Sequence, residues 1–361
     1  MKEACRARKI LPAVVLNYEI NAFISLIAVD NAMGTEYNPF AMKLENVSGR
    51  RKTMPLSFND RWEMPEVPEH IIHGDMPGDK IKITDEHIRK AGIIYPVLRD
   101  ECRKLASDKI VIAVHGGSGV GKSEIASILG YLFQQEGIGV YVMSGDNYPW
   151  RIPKENDIER ARIYRTGGMR GLLAAGLVTP KAMDELHDLW AKDLDAEKTL
   201  RSEYDWLETY QEKGAEALAA YLGSQNEHDY IEVSEILDKF HRGEKEIFLK
   251  RMGRELDDLW YEKVDFSGID VLILEWTHGN SDNLTGVDIP ILLNSTPEET
   301  LAHRKARNRD GKPDSPMITQ VLELEQKMLD AEAHKAKIIV SKAGELLTYD
   351  AYRKLMDGGQ K

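Results

Sequence analysis

From Lys109 onward, apolar residues come in short unbroken runs separated by longer amphipathic stretches. The runs are Lys109–His115, Val140–Asp146, Asp270–Thr277, Ile289–Asn294 and Lys337–Ser341. A strand covered on one face alternates apolar and polar residues, whereas an unbroken run marks a strand covered on both. Helical stretches between such strands predict a doubly wound parallel α/β sheet over residues 108–345. One connection breaks the rhythm, because more than a hundred residues lie between Tyr148 and Gly268. A connection beyond about 12–15 residues normally carries structure of its own. Met183, Leu186, Leu189 and Trp190 recur at helical spacing, and so do Leu207, Tyr210, Ala217 and Tyr221. We expect a large helical insertion over about 152–265, lying over the sheet edge on the substrate side, with Trp190, Trp206 and Trp260 in its packing core.

The first 107 residues read as a mixed α/β extension. Strands are predicted at Ala13–Leu16 and Phe23–Val29, loop over Asn46–Pro68, and a helix over Thr84–Leu105 with Thr84 as its N-cap. No chemistry motif stands out there. Residues 346–361 read as a C-terminal tail. Basic Lys2, Arg6, Arg8 and Lys9 precede an apolar run at Ile10–Leu16, but no small-residue cleavage site follows. The run is therefore expected to be a strand rather than a signal peptide.

The strongest local signal is Gly116-Gly117-Ser118-Gly119-Val120-Gly121-Lys122-Ser123, which fits the phosphate-loop pattern at every fixed position. A predicted strand precedes it, and a helix with Ile125, Ile128, Leu129, Leu132 and Phe133 on one face follows. Glycines let successive N–H groups converge on phosphate oxygens, and the helix N-terminus adds partial positive charge. Lys122 is expected at the β- and γ-phosphates and Ser123 at a magnesium ion. The nucleotide contacts are expected to run from Gly116 through Glu124.

Composition narrows the partner. The 361 residues carry 48 Lys+Arg against 60 Asp+Glu, a formal charge of −12. An acidic surface repels polyphosphate and anionic lipid, so neither nucleic acid nor a membrane is the expected partner. No run reaches the ~18 apolar residues of a membrane span. The two cysteines, Cys5 and Cys102, make no disulfide framework and fit a cytoplasmic location. Two carboxylates stand where sheet strands end: Asp146 after the second run and Glu275 closing the third. A carboxylate there faces the crevice in which open α/β sheets bind ligands. Asp146 suits a base that takes a proton from an attacking hydroxyl, though Gly145-Asp146-Asn147 is equally good turn chemistry. Glu275 suits a magnesium–water ligand. His278 and Asp282 follow it in a polar loop, and no further ligands stand at the spacing of a dedicated zinc site. Near the end, Thr296-Pro297-Glu298-Glu299 opens a helix leading to five cations, Arg304, Lys305, Arg307, Arg309 and Lys312. Arginines aimed at a transferring phosphoryl group stabilise its charge. A solvated helix end is the alternative reading of the same cations.

These residues together resemble the uridine kinase, phosphoribulokinase and pantothenate kinase group. The resemblance covers roughly 108–345. It implies an ATP-dependent kinase with MgATP as phosphoryl donor and a hydroxyl on a small molecule as acceptor. It assigns Asp146 as base, with Tyr148 just behind it, Glu275 to the metal, and Arg304, Arg307, Arg309 and Asp310 to the lid. Trp276 stands where the group has glycine. Tyr230–Arg242, Gly243 and Ile247–Arg251 echo the group's substrate helix and hairpin, which brings Arg251 to the acceptor. Arg151, Arg162 and Arg165, just after Asp146, are further acceptor candidates and would suit a sugar, polyol, sugar phosphate or hydroxy acid. The segment Asn226–Asp229 does not match the group's base-contacting residues, so uridine is not carried over. No Asn-Lys-x-Asp or Leu-Ser-Gly-Gly-Gln motif occurs, which argues against a GTPase and a transport ATPase. A regulatory or assembly ATPase, with the insertion binding a protein, is the alternative. Self-association as a homodimer stays open.

Overall fold

The computed structural model describes residues 55–307 and 315–358. The strands predicted at Ala13–Leu16 and Phe23–Val29, together with Arg309, Asp310 and the side chain of Arg307, lie outside the described residues. All five apolar runs form strands. They are β1 (Ile110–Gly116), β2 (Val140–Ser144), β5 (Val271–Glu275), β6 (Ile289–Leu293) and β7 (Ile338–Val340). They pair in parallel in the order β2-β5-β1-β6-β7, and β8 (Leu346–Leu347) adds an antiparallel edge beside β7. Ile110 and Val114 of β1 stand opposite Val271 and Glu275 of β5, and Ser144 of β2 also stands opposite Glu275. That register brings the ends of β1, β2 and β5 to one rim.

Side chains alternate across a strand, so the two faces of the sheet hold different residues. Ile110, Ile112, Val114, Ile273, Ile291 and Val340 face one core, which they share with Ile94, Tyr95 and Leu98 of helix α1 (Asp85–Leu105) and Ile125, Leu129 and Phe133 of helix α2 (Lys122–Gln135). Val111, Leu272, Leu274 and Met143 face a second core with Val233, Leu237 and Phe240 of helix α6 (Tyr230–His241). Strands buried on both faces need no polar alternation, which is why their sequence is unbroken.

The described residues before the sheet, from 55 onward, join it directly. Thr84 caps α1 as predicted, with His87 closing the capping box. Leu56, Phe58, Trp62 and Met64 pack on the first core. Arg99 of α1 and Glu136 after α2 form a buried ion pair at 2.9 Å. Residues 346–358 are likewise part of the fold: β8 extends the sheet, and Tyr352 of α9 (Tyr349–Gly358) is buried against Leu292 and Ile339.

The long connection is helical, as its periodicity predicts. It holds α3 (Pro153–Ala174), α4 (Pro180–Lys192), α5 (Leu207–Ala219) and α6, then an antiparallel hairpin of β3 (Glu246–Met252) and β4 (Leu259–Asp265). Leu186, Leu189, Trp206, Leu207 and Tyr210 build its core, together with Val321 and Leu324 of α8 (Pro316–Glu332). Trp190 packs at the edge of this core, but Trp260 does not enter it. Trp260 lies on the outward-facing strand β4 and is 45% exposed. Helices α3 and α5 cross closely because glycines line the contact. A Cβ on Gly168 would lie 2.4 Å from the Tyr210 ring. Gly168→Ala is therefore expected to cost about 1–3 kcal/mol of stability, read by chemical denaturation, because neither helix can retreat without opening the core. No helix among the described residues is long and apolar enough to cross a membrane.

Candidate active site

The phosphate loop joins β1 to α2 at the rim where β1, β2 and β5 end. Gly116 has φ +148°, and a Cβ there would lie 2.4 Å from the Leu293 carbonyl oxygen, so only glycine fits. Gly119 and Gly121 also have positive φ, and Gly121 is the N-cap of α2. Gly117, Ser118 and Val120 complete the turn, and Lys122 Nζ donates to the Gly117 carbonyl at 3.1 Å. Glu124 is buried in the first turn of α2, where its charge acts on His87 of α1. Two other elements also touch the loop. Arg304 of α7 (Pro297–Arg307) is buried, donates to the Pro297 carbonyl at 2.8 Å, and rests its Cγ 2.9 Å from where a Gly119 Cβ would stand. His87 Nε2 lies 3.0 Å from the corresponding point on Gly121.

Glu275 lies beneath the loop. Its Oε2 accepts from Ser123 Oγ at 3.0 Å and its Oε1 from Ser144 Oγ at 2.8 Å. Burial, together with the Asp146 charge, pushes its carboxyl up to about 8, while Lys122 and the two hydroxyls pull the other way. Asp146 itself is exposed, in a single 3₁₀ turn spanning Gly145–Asn147 directly after β2. The Ser123 hydroxyl and the Glu275 carboxylate are hard oxygen donors, a set that fits a magnesium ion.

The turn that carries Asp146 is clamped from two sides. Asp75 reaches it from the segment before α1. Its Oδ1 accepts from Ser144 N at 2.7 Å and Asn147 Nδ2 at 3.0 Å. Its Oδ2 accepts from Tyr141 Oη and Arg251 Nη1, each at 2.9 Å. From the hairpin, Met252 N donates to Asn147 Oδ1 at 3.0 Å. Burial raises the Asp75 carboxyl above its ordinary value, against the opposing pull of the Arg251 charge. Asp75 stands in a stretch with no periodicity or motif, and nothing in the sequence singles it out. Asp75→Asn is expected to lower kcat by roughly 10²-fold while leaving ATP affinity close to wild type, because the change displaces the Asp146 turn and leaves the phosphate loop intact. Steady-state kinetics with a separate nucleotide titration reads both quantities.

The arginines expected at the acceptor are already paired. Arg162 makes two hydrogen bonds of 2.7 Å to Glu159. Arg165 makes two to Asp195, at 2.9 and 3.1 Å, and lies over the Trp190 ring. Arg251 pairs with Asp75 and Glu262. Arg151 donates to Tyr221 Oη at 3.1 Å and lies 3.7 Å from Glu159. Tyr148 is fully buried in the second core with Tyr230, Leu249 and Trp276, and does not line the rim. Trp276 fits because Gly145 lacks a side chain: a Cβ on Gly145 would lie 2.0 Å from the Trp276 ring.

A polar cluster absent from the sequence expectations lies next to this turn. Pro149 and His228 form an isolated antiparallel bridge, with Trp150 N donating to the Glu227 carbonyl at 3.0 Å. His228 and His278 have ring centroids 4.5 Å apart, and both pack on Trp276. Glu227, His228 and His278 place one candidate ligand atom each within 4.8 Å of the others. The sequence offers no metal-like spacing because His278 is fifty residues beyond His228. Glu227 Oε1 accepts from Asn156 Nδ2 at 2.9 Å and Arg160 Nε at 2.7 Å. Burial alone would raise Glu227, but the His228 contact and the Arg160 charge hold it well below the usual carboxylate range.

No family model matches the chain. It is 34% identical over 308 residues to the bifunctional alpha-galactosidase/sucrose kinase AgaSK of Mediterraneibacter gnavus. That match covers 85% of this chain and 27% of AgaSK, so the chain spans about a quarter of that relative's length. Similar solved structures include phosphoribulokinase from Rhodobacter spheroides, at 13% identity and TM-score 0.40, covering 65% of this chain and 70% of that one. D-glycerate 3-kinase from Cryptococcus neoformans var. grubii is also 13% identical with TM-score 0.40, covering 73% of this chain and 98% of that one. By its own sheet topology and phosphate loop the chain is a phosphate-loop α/β protein.

Proposed function

We propose that the chain is an ATP-dependent kinase that transfers the γ-phosphoryl group to a hydroxyl of a small molecule. The observation that carries this reading is the placement of Asp146. It is exposed on a clamped turn two residues beyond Ser144, whose hydroxyl shares Glu275 with Ser123 of the phosphate loop. A carboxylate accessible at the phosphate end of the loop suits an acceptor that must lose a proton. The sucrose kinase half of the AgaSK name supports a sugar as the acceptor class.

In this reading the loop amides and Lys122 hold the β- and γ-phosphates. The acceptor oxygen attacks the γ-phosphorus, the bond to the β–γ bridging oxygen breaks, ADP leaves, and the hydroxyl proton passes to Asp146. Ser123 and Glu275 would hold magnesium, which when bound neutralises phosphate charge. Arg304, Arg307 and Arg309 are proposed as the cations that stabilise the transferring group. The test is ADP release from MgATP with sugars, polyols, sugar phosphates, nucleosides and hydroxy acids, against a control without acceptor. Stimulation by a compound that gains one phosphate by mass spectrometry supports the kinase. A basal rate that no small molecule raises overturns it and favours a protein-regulated ATPase.

A further inference from the structure

The polar cluster beside the Asp146 turn is built like a binding face, and its position ties it to the reacting end of the nucleotide. His228 bridges Pro149, three residues beyond Asp146, and His278 stands three residues beyond Glu275. The Lys122 charge acts on His278 and on Glu325 of α8. Arg160 connects the two carboxylates, with its Nε 2.7 Å from Glu227 and an Nη 3.6 Å from Glu325.

This face has hydrogen-bonding capacity to spare. His228 is 4% exposed, and its Nδ1 has no hydrogen-bond partner among the described residues. Buried polar groups are rarely left unpaired, because each costs free energy unless a ligand or water completes it. Burial holds His278 well below its usual range, so its imidazole is neutral. A neutral imidazole offers one donor and one acceptor. Asn156 adds an amide, Arg160 adds donors and Glu227 adds acceptors. That mixture suits hydroxyl groups, which both donate and accept.

The charges exclude the other acceptor classes. Arg160 is balanced by Glu227 and Glu325, while Arg162, Arg165 and Arg251 are held in carboxylate pairs elsewhere. An anionic acceptor entering this face would meet the Glu227 and Glu325 carboxyl groups, and the face's own cation, Arg160, is already paired with both. We infer that Asn156, Arg160, Glu227, His228 and His278 form the acceptor-binding face, and that it takes an uncharged polyhydroxylated molecule, a sugar or polyol, in place of a sugar phosphate or hydroxy acid. The inference rests on the kinase reading for the name acceptor, but binding can be tested without phosphoryl transfer.

The experiment is calorimetric titration of the full chain, with MgADP present, against sucrose, fructose, xylitol, fructose 6-phosphate and D-glycerate. At least one uncharged compound is expected to bind, and more tightly than either anion. His278→Ala is expected to weaken that binding at least ~10-fold with ADP affinity unchanged. Asn156→Ala, which leaves the Arg160–Glu227 pair in place, gives the same readout should His278→Ala fail to fold. Tighter binding of fructose 6-phosphate or D-glycerate overturns the inference. So does the absence of binding by any of the five, or binding of an uncharged compound that neither variant weakens. A parallel titration with Zn²⁺ covers the competing use of Glu227, His228 and His278. Stoichiometric zinc binding that blocks sugar binding and is lost in His278→Ala overturns the inference in favour of a cation site. An uncharged compound that binds as expected yet is never phosphorylated leaves the face standing and removes the kinase reading.

Discussion

Asp146→Asn is expected to bind MgATP with nearly unchanged affinity and to turn over at least ~10²-fold more slowly with a saturating acceptor. The change keeps the size of the side chain and removes only its capacity to take a proton. Asp146 makes none of the contacts that hold its own turn. Those belong to Ser144 and Asn147, which are fixed by Asp75 and by Met252 N. The phosphate loop lies on a different connection, between β1 and α2, and keeps its geometry. A drop in kcat with nucleotide affinity preserved is thus the signature of a base at this position. The check is kcat at saturating acceptor alongside nucleotide affinity by calorimetry. Near-normal phosphoryl transfer in the variant would remove Asp146 from the mechanism.

The second large effect is expected from Lys122→Ala. Here nucleotide affinity itself should fall, by ~10-fold or more, and turnover should fall by ~10²–10³-fold, since a cation aimed at phosphate oxygens acts both in binding and as charge develops. The fold should survive. Lys122 is only partly buried, and its one described hydrogen bond is to the Gly117 carbonyl within the loop. Calorimetry with MgATP and a denaturation curve separate these quantities. Unchanged nucleotide affinity would refute the assignment of this loop to phosphate. Set together, the two variants divide the site: one loses chemistry with binding kept, the other loses both.

Much of this site is legible without coordinates because its parts are local. The phosphate loop needs eight contiguous residues, Gly116–Ser123, and a strand and helix on either side, all visible as a glycine-rich turn between two apolar patterns. Asp146 and Glu275 are legible for a related reason. Glu275 is the polar residue at which a buried strand stops, Asp146 lies two residues past the end of another, and strand ends in a parallel sheet converge on one rim. The pairing of Arg162 with Glu159 is also within reach of the sequence, as an i, i+3 pair on a helix.

Asp75 is a different case. It lies about seventy residues before the turn it holds, between the predicted loop that ends at Pro68 and the helix that starts at Thr84, and its role exists only because β2, the hairpin and that stretch meet. Arg165 and Arg251 look like free cations in the sequence because their partners, Asp195 and Asp75, are brought to them by the fold. Trp260 belongs by composition with Trp190 and Trp206. The hairpin instead turns it outward, since β3 contributes Ile247 and Leu249 to the core while β4 is exposed along almost its whole length.

By itself, then, the sequence determined the parallel sheet, the phosphate loop and the two strand-end carboxylates, because unbroken apolar runs and a contiguous anion nest are properties of neighbouring residues. Only the tertiary structure decided which charges are spent on one another and which polar groups are gathered beside the Asp146 turn. Asn156, Arg160, Glu227, His228 and His278 come from α3, the turn before α6 and the loop after β5, and no spacing along the chain relates them. Burial couples them, since buried charges and polar groups must find partners wherever the chain brings them together.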